Sequence, residues 1–361
     1  MNLKYRYWLA KIKGLSSDKK VKLVKMIKSA ERIYYIEETK LSKTELLNKK
    51  DISAITKARK ECDIDGEYKD FLNYGIKLIT YDMDEYPDKL KNIDYPPYAL
   101  YVKGNLPDKD KKAIAIVGAR KSTPYGEKYA LQYGRFLGEN DIPLISGMAK
   151  GIDCFGQRGC VSANGKTYAV LGSGPDICYP KENIGLYNDI LENGGGIISE
   201  YHPGTPPLSR NFPARNRIIS ALSDAVLVME AKVKSGSLIT ADMALEQGKD
   251  VYALPGQVDN VLSEGCNRLI YQGAGILLSA KQLMSELDIL DTKYDVNTVK
   301  NEKCLENEEK LLYSRLTLYP KDISCLIEET GMNADTALRN LVSLQIKGMV
   351  KEISYNYYVR T

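Results

Sequence analysis

The stretch KAIAIVGARKSTPYG, residues 112–126, decides the fold, because a short apolar run ends at a glycine and is soon followed by a proline. The run is rich in β-branched residues, which is typical of a fully buried strand. Ser122 or Thr123 followed by Pro124 is typical of the first turn of a helix, where the missing proline N–H has no cost. The stretch therefore predicts a strand, a glycine turn and a helix in succession.

The same succession continues as far as residue 281. The further apolar runs are IPLISGMA, TYAVLGSG, GGIISEY, DAVLVMEA, DVYALPG and GAGILLS. Helices are expected between the runs, at residues 123–139, 150–163, 183–193, 214–222, 237–247 and 262–272. Short apolar strands that alternate with helices predict right-handed βαβ units. The fold class is therefore α/β, with a parallel sheet covered by helices on both faces.

Further domains are expected on both sides of this unit, because 361 residues are too many for one ordinary domain. Residues 1–65 predict a small helical domain, and residues 66–285 predict the α/β domain with an added edge of two strands. Residues 286–308 are polar and predict a linker. Residues 309–361 predict three helices and a β-hairpin, a pattern that is typical of a winged helix.

The net charge of +4 is unevenly distributed. Residues 1–60 contain 17 Lys/Arg and 6 Asp/Glu, whereas the other 301 residues contain 34 Lys/Arg and 41 Asp/Glu. A basic segment on a mildly acidic body indicates contact with a polyanion, and a solvated lysine-rich helix surface is an equally weighted alternative. Residues 306–361 contain 7 Lys/Arg and 8 Asp/Glu, which argues against a regulator that reads DNA with its winged helix.

Composition also excludes several classes of protein. No stretch approaches the roughly 18 apolar residues of a membrane span, and the N-terminus lacks a signal-peptide pattern, so we expect a cytoplasmic protein with no membrane partner. The seven cysteines form no CxxC pair and the only histidine is His202. This predicts reduced thiols and no metal site. No cofactor is expected, because the loop VGARKSTPYG does not match the dinucleotide fingerprint GxGxxG.

Open parallel sheets bind their ligands outside the carboxyl ends of their strands. The loops at that edge combine glycine turns with helix N-termini, where backbone N–H groups and the helix dipole suit a phosphate. The loop at residues 209–217 also sets cations beside an aromatic ring, which suits phosphates with stackable bases. The candidate DNA-binding residues are Arg120, Ser146, Gly147, Lys150, Gly172, Gly174, Lys181, Arg210, Phe212, Arg215, Asn216 and Arg217.

Five such loops on one rim suit an extended polyanion better than one small ligand. They contain the segments VGARKSTPYG, ISGMAKGID, LGSGPDICYP, PPLSRNFPARN and AKVKSGSLITA. The hypothesis is a non-catalytic, sequence-tolerant binder of single-stranded DNA, in which the cations hold phosphates and Phe212 stacks on a base. Asp153 is expected to organise its own loop rather than to catalyse a reaction. His202 lies in the turn-like segment EYHPGTPP, where we expect it to cap or pack instead of joining a Ser–His–Asp triad.

The main alternative is a Rossmann-like nucleotide-binding enzyme of the nucleoside-monophosphate phosphoribohydrolase type. Such enzymes use a PGGxGTxxE loop, whose glutamate acts on the ribose. The corresponding stretch here is KSGSLITADMALEQG, which lacks that array, and Glu246 lies out of register with the glutamate. The sequence therefore favours DNA binding over catalysis.

Taken together, the motifs resemble those of the DNA-processing protein A family (DprA, also called Smf). They follow the order of that family over roughly residues 70–285 and are GARKSTPYG, SGMAKGID, GSGPDICYP, FPARNRIISALSD, SGSLITA, EQGKDVYALPG and the pair GCNRLI and GA. By position, Arg120 matches the basic residue that the family carries after its first strand. Residues 209–217 match the DNA-gripping loop, with Ser209 where relatives often carry a lysine.

The resemblance implies a fold and a set of partners. The implied fold is an extended Rossmann-like sheet with a sterile-alpha-motif-like or helix-hairpin-helix module before it and a winged helix after it. The implied protein forms a homodimer, protects incoming single-stranded DNA, and loads the RecA recombinase during natural transformation and recombination.

Overall fold

The computed structural model describes residues 3–289 and 305–360, so residues 290–304 of the predicted linker lie outside the described residues. One large sheet dominates the fold and confirms the α/β class. Its strands are β1 (Lys77–Thr80), β2 (Ala99–Gly104), β3 (Ile114–Val117), β4 (Leu144–Ser146), β5 (Thr167–Val170), β6 (Gly196–Ser199), β7 (Ala225–Val228), β8 (Asp250–Ala253) and β9 (Gly275–Ile276).

The nine strands have the order β1-β2-β6-β5-β4-β3-β7-β8-β9. The seven strands from β3 to β9 are all parallel to one another, whereas β2 joins β6 antiparallel and β1 joins β2 antiparallel at one edge. Every residue of β3, β5 and β7 is buried. These strands are covered on both faces, which is why their sequences are continuous apolar runs instead of alternating ones.

Six helices precede the sheet: α1 (Leu3–Lys11), α2 (Ser17–Ile27), α3 (Ala30–Tyr35), α4 (Glu38–Ser42), α5 (Lys49–Glu61) and α6 (Ile64–Leu72). Their core surrounds Trp8 and continues onto Leu78 of β1 and Tyr101 of β2. The helical domain therefore packs against the antiparallel edge of the sheet. Helix α6 crosses residue 65, so the domain boundary predicted there falls inside a helix.

The remaining helices of this part are α7 (Asp88–Lys91), α8 (Pro124–Glu139), α9 (Ile152–Ser162), α10 (Ile184–Glu192), α11 (Asn211–Leu222), α12 (Gly236–Glu246), α13 (Val261–Tyr271) and α14 (Ala280–Glu286). Five of the six predicted helices begin within two residues of the expected position. The exception is α11, which begins at Asn211 rather than at residue 214. Its first two turns therefore contain residues 211–217, which are seven of the nine residues expected to form the loop at 209–217.

The strand order also fixes where a ligand can bind. From β3 the chain runs outwards through β4, β5 and β6, and it then returns to the other side of β3 as β7. The loops after β3 and β7 therefore lead to opposite directions along the sheet and leave a crevice between them. Open α/β sheets bind their ligands at such a switch point.

Residues 305–360 form a second, smaller unit. It consists of α15 (Asn307–Arg315), α16 (Ile323–Thr330), α17 (Ala334–Ile346) and a sheet of β10 (Lys321–Asp322), β11 (Val350–Ser354) and β12 (Tyr357–Arg360). Leu312, Leu326 and Leu341 lie in its core. Across residues 3–289 and 305–360, the helices are too short or too polar to span a bilayer.

Candidate nucleic-acid interface

A cleft of about 330 Å³ opens at the switch point. Residues 118–120, which follow β3, form one wall, and the first turns of α11 form the second. The N-terminus of α12, at residues 235–237, forms the third wall. The cleft thus lies where the strand order predicts a ligand, and it gathers residues from four separate parts of the chain, since Ala149 and Asp153 also line it.

Arg120 and Phe212 meet at the mouth of this cleft. The Arg120 side chain is exposed, and its Cζ lies 5.5 Å from the centroid of the half-buried Phe212 ring. Tyr179 packs against the same ring at a centroid distance of 5.6 Å. A Cβ on Gly172 would lie 3.0 Å from Phe212 Cδ1, so a glycine there makes room for the ring. The cleft therefore offers a cation beside a positioned aromatic ring.

Sequence reasoning overlooked Tyr179, although it stands in the quoted loop motif GSGPDICYP. The side chain is 44% exposed beside Phe212. An aromatic residue in a glycine-rich loop at this edge of the sheet was the signal available. Two aromatic rings at the mouth, instead of one, can accommodate more than one base.

The N-terminus of α12 supplies an anion-binding surface in the same cleft. Ser235 is the N-cap residue but makes no side-chain capping bond, because its Oγ lies 2.8 Å from Ser237 Oγ. The first N–H groups of the helix are thus left without a side-chain cap on the wall of the cleft. Free N–H groups and the positive end of the helix dipole suit a phosphate oxygen.

Ser146, Gly147 and Gly174 do not present donors at the rim as was expected, because each is buried and bonded within the protein. Ser146 Oγ donates to the Ile116 carbonyl at 2.6 Å. Gly147 N–H donates to Asp153 Oδ2 at 3.1 Å, which confirms that Asp153 organises this loop. Gly174 N–H donates to the Thr205 carbonyl at 2.8 Å. These residues hold the loops in shape rather than face a ligand.

Arg215 also departs from the expectation of an exposed phosphate ligand. It is only 4% exposed, and its guanidinium donates to the carbonyls of Gly147 and Val170. Burial lowers the pKa of Arg215 to about 10, and burial raises the pKa of the neighbouring Asp153 carboxyl. The side chain instead ties α11 to the ends of β4 and β5, because its helix begins earlier than predicted.

The Arg217 guanidinium is also bonded to groups within the protein. Its Nη1 and Nη2 each donate to one carboxylate oxygen of Glu200 at 2.7 Å, and its Nε donates to the Tyr95 carbonyl at 3.0 Å. Both members of this pair are largely buried. A bidentate pair with a further bond leaves the guanidinium little capacity to bind a phosphate. The expectation that Arg217 is available at the rim is therefore corrected.

The other cations of the rim are exposed. Lys150 pairs with Glu182 at 2.7 Å, but both side chains face solvent, so the pair is weak and exchangeable. Lys181 and Arg210 are exposed and form no ion pair within the described part of the chain. Asn216 donates to the Gly236 carbonyl at 3.2 Å and so connects α11 to α12. Three cations therefore remain available beside Arg120.

Two further ionisable groups near this edge have structural roles. Glu230, which sequence reasoning overlooked, is buried and accepts bonds from the N–H and Oγ of Thr123. His202 Nε2 lies 2.7 Å from Tyr7 Oη, and its ring packs against Tyr101, which confirms the expected packing of this side chain. Burial lowers the pKa of His202. Both residues fix neighbouring elements in place.

Comparison with known proteins identifies the family of this chain. The family model described as DNA recombination-mediator protein A matches residues 77–288. Protein Smf of Synechocystis sp. is 34% identical over 325 residues, which cover 88% of this chain and 81% of that protein. The DNA processing protein DprA of Streptococcus pneumoniae is 42% identical over 205 residues, which cover 57% of this chain and 72% of that protein.

Solved structures agree with the sequence comparison. The X-ray structure of DprA from Streptococcus pneumoniae has a TM-score of 0.70 at 33% identity and covers 78% of this chain and 97% of that one. A structure of DprA from Helicobacter pylori, described for its single-stranded DNA binding mode, has a TM-score of 0.53 at 30% identity and covers 58% and 95%. The resemblance seen in the motifs is confirmed, and this chain belongs to the DNA recombination-mediator protein A family.

Proposed function

We propose that this protein binds single-stranded DNA along the carboxyl-end rim of its sheet, with the switch-point cleft at the centre. The observation that carries the proposal is the exposed Arg120 guanidinium, held 5.5 Å from the Phe212 ring at the mouth of that cleft. A cation binds a phosphate and a ring stacks on a base, and neither contact reads a base edge. Binding is therefore tolerant of sequence.

The path of the strand follows from the available cations. One phosphate binds between Arg120 and the N-terminus of α12, and the neighbouring phosphates contact Lys150, Lys181 and Arg210. Arg215, Arg217 and Asn216 act indirectly, because they hold α11 and hence Phe212 in position. Since phosphate contacts dominate this interface, its affinity falls steeply with salt.

The cleft supports binding rather than catalysis. Asp153 is the one carboxylate among the described residues that line it, and backbone N–H donation from Gly147 already occupies that side chain. Glu230 is bonded to Thr123, and Glu246 is exposed at the far end of α12. These placements do not favour a phosphoribohydrolase, which needs a free glutamate beside the ribose.

Membership of the family extends the proposal to partners. We propose that the protein protects incoming single-stranded DNA and passes it to the RecA recombinase, in natural transformation and recombination. A homodimer is supported by an exposed apolar surface at the β9 edge of the sheet, where Tyr271, Ile276 and Leu278 are exposed. The N-terminal helices serve as a sterile-alpha-motif-like or helix-hairpin-helix module, and residues 307–360 serve as a winged helix.

The test is fluorescence anisotropy of a labelled 20-nucleotide poly-dT strand at two salt concentrations. Arg120→Ala should weaken binding and reduce the slope of log affinity against log salt by about 0.7, the value for one phosphate contact on a single strand. Arg135→Ala removes an exposed arginine of α8 away from the cleft and serves as the matched control. Unchanged binding by Arg120→Ala, or an equal loss in both variants, would contradict the proposal.

A further inference from the structure

The sheet cleft leaves the N-terminal helices without a role, although residues 1–60 carry 17 Lys/Arg against 6 Asp/Glu. Part of this charge is used internally. Lys19 pairs with Asp51, Lys20 is buried with its Nζ on a backbone carbonyl, and Arg59 donates to two carbonyls at the end of α3. Eleven cations of residues 3–60 are exposed, and α5 carries more of them than any of the other described N-terminal helices does.

Four of these eleven cations lie on α5. Lys49, Lys50, Lys57 and Lys60 are all exposed. Helical spacing sets Lys49, Ser53, Lys57 and Lys60 on one side of the helix, and the same four residues line one shallow groove. From the first to the last of these lysines the helix rises roughly 16 Å, at about 1.5 Å per residue. The face is therefore a straight row of cations and one hydroxyl.

A second groove along the adjacent side of α5, which Glu61 and Glu67 also line, adds another cation. Lys13, from the turn after α1, lines that groove together with Ala54 and Lys57. Lys57 borders both grooves, so the cations form one continuous surface. Glu38 and Glu61 are the acids that line the first groove, and Glu61 pairs with Lys57 at 3.8 Å on the surface. We call Lys13, Lys49, Lys50, Lys57 and Lys60 the α5 surface.

The charge of this surface is not explained by the stability of the helix. Lys49 and Lys50 occupy the first turn of α5, where the helix dipole is already positive and cations are unfavourable. Asp51 in that turn is buried and already bonded to Lys19 and to the N–H of Asn48. Within the described chain, Lys13, Lys49, Lys50 and Lys60 have no ion-pair partner. Such a concentration of unpaired positive charge suits an external polyanion.

The form of the surface identifies which polyanion it fits. Residues 49–61 contain no aromatic side chain, so α5 has no ring on which unpaired bases could stack, unlike the cleft with Phe212. Duplex DNA carries about one phosphate per 1.7 Å of its axis, twice the density of one of its strands. A straight row of lysines without stacking rings therefore favours the backbone of a duplex. We propose that the α5 surface binds duplex DNA through its phosphates, independently of sequence and separately from the single-strand cleft.

The experiment measures anisotropy of a blunt 20-base-pair duplex with the full chain at several salt concentrations. Lys49→Gln/Lys60→Gln should weaken duplex binding several-fold and reduce the salt slope by about 1.8, since each phosphate contact on a duplex contributes about 0.9. Lys49→Arg/Lys60→Arg should retain wild-type binding, because the charge is kept. Lys109→Gln/Lys281→Gln, which removes two exposed lysines of the sheet domain, should have no effect.

The cleft provides an independent comparison in the same assay. Arg120→Ala should leave duplex binding unchanged, and Lys49→Gln/Lys60→Gln should leave poly-dT binding nearly unchanged. The proposal is overturned if the wild type does not bind the duplex, or if the α5 variant binds it as well as the wild type does. It is also overturned if Lys109→Gln/Lys281→Gln weakens duplex binding as much as Lys49→Gln/Lys60→Gln does. None of these outcomes depends on whether the cleft binds single strands.

Discussion

Substitution of Arg215 distinguishes most clearly between a structural role and direct contact with DNA. The side chain is 4% exposed and donates to the carbonyls of Gly147 and Val170, close to the buried Asp153. Arg215→Met removes the positive charge while keeping an unbranched side chain. Two carbonyls then lose a donor, and the Asp153 carboxylate loses the nearby charge that stabilises its ionised form.

The expected cost follows from these contacts. Removing one partner from a buried charge pair costs about 3–5 kcal/mol of the free energy of unfolding. The lower end, about 3 kcal/mol, applies because Asp153 keeps its bond from the Gly147 N–H. For a folding unit of about 200 residues this lowers the melting temperature by roughly 6–12 °C. Arg210→Met, at an exposed position, should change the stability by less than about 0.5 kcal/mol.

The pH dependence of the variant gives a second readout. Burial raises the pKa of Asp153, and the charge of Arg215 opposes that rise. In Arg215→Met the folded-state pKa rises further above the unfolded value, so the folded state binds more protons in the window between them. Stability therefore falls as the pH rises through that window, and the loss is larger at pH 7 than at pH 4. Asp153→Asn in the same background should restore part of the loss.

Differential scanning calorimetry is the appropriate measurement, because the only tryptophan, Trp8, lies in the core of the N-terminal helices and the β1–β2 edge, away from Arg215. The reasoning is refuted if Arg215→Met melts at the wild-type temperature and yet loses binding to poly-dT. Such a result would mean that the guanidinium leaves its internal carbonyls and contacts a phosphate directly.

Two other substitutions test separate parts of the structure. Phe212→Ala should weaken poly-dT binding by about 1–3 kcal/mol in anisotropy titrations, with an unchanged salt slope, because stacking involves no counterion; a changed slope would contradict the stacking role. The Lys347 ammonium and the Ser343 hydroxyl hold the pKa of the buried Glu309 at about 2, below its ordinary 4.5. This stabilisation, about 3 kcal/mol at roughly 1.4 kcal/mol per pKa unit, is complete above pH 4.5 and lost as the pH falls towards 2. Acid titration of the calorimetric transitions should show it in the wild type and not in Glu309→Gln.

The sequence predicted the order and type of the sheet elements because the signals there are local. Each parallel strand is buried on both faces, so it appears as a short apolar run such as AIAIV before Gly118. The strand directions could not be predicted in the same way. The runs GIKLIT and ALYVKG contain no local signal that β1 and β2 join the sheet antiparallel. Pairing at an edge depends on packing against the N-terminal helices, and no local pattern records that contact.

The start of α11 shows why the candidate site was only partly predicted. The sequence predicts a helix from residue 214, but α11 begins at Asn211 and Pro213 is its third residue. Proline is tolerated in a first turn because the N–H groups there have no intrahelical partner. Once the helix begins at Asn211, Phe212, Arg215 and Asn216 share one face by their spacing of three and four residues. Arg215, which was expected in a loop with Arg210 and Arg217, thus lies on a helix face that packs against the sheet.

The partners of the arginines explain the rest of the difference. Arg217 meets Glu200, 17 residues away, and Arg215 meets Val170, 45 residues away, and no spacing in the sequence signals either contact. These contacts separate the cations of the rim into two groups, which differ in the free energy needed to break the contacts that their side chains already make. An exposed pair such as Lys150 with Glu182 contributes about 0–1 kcal/mol and can exchange its carboxylate for a phosphate. The largely buried pair of Arg217 with Glu200 cannot do so without leaving a buried charge unpaired, which costs several kcal/mol. The same residue type therefore fixes the shape of the cleft where it is buried and can meet phosphates where it is exposed.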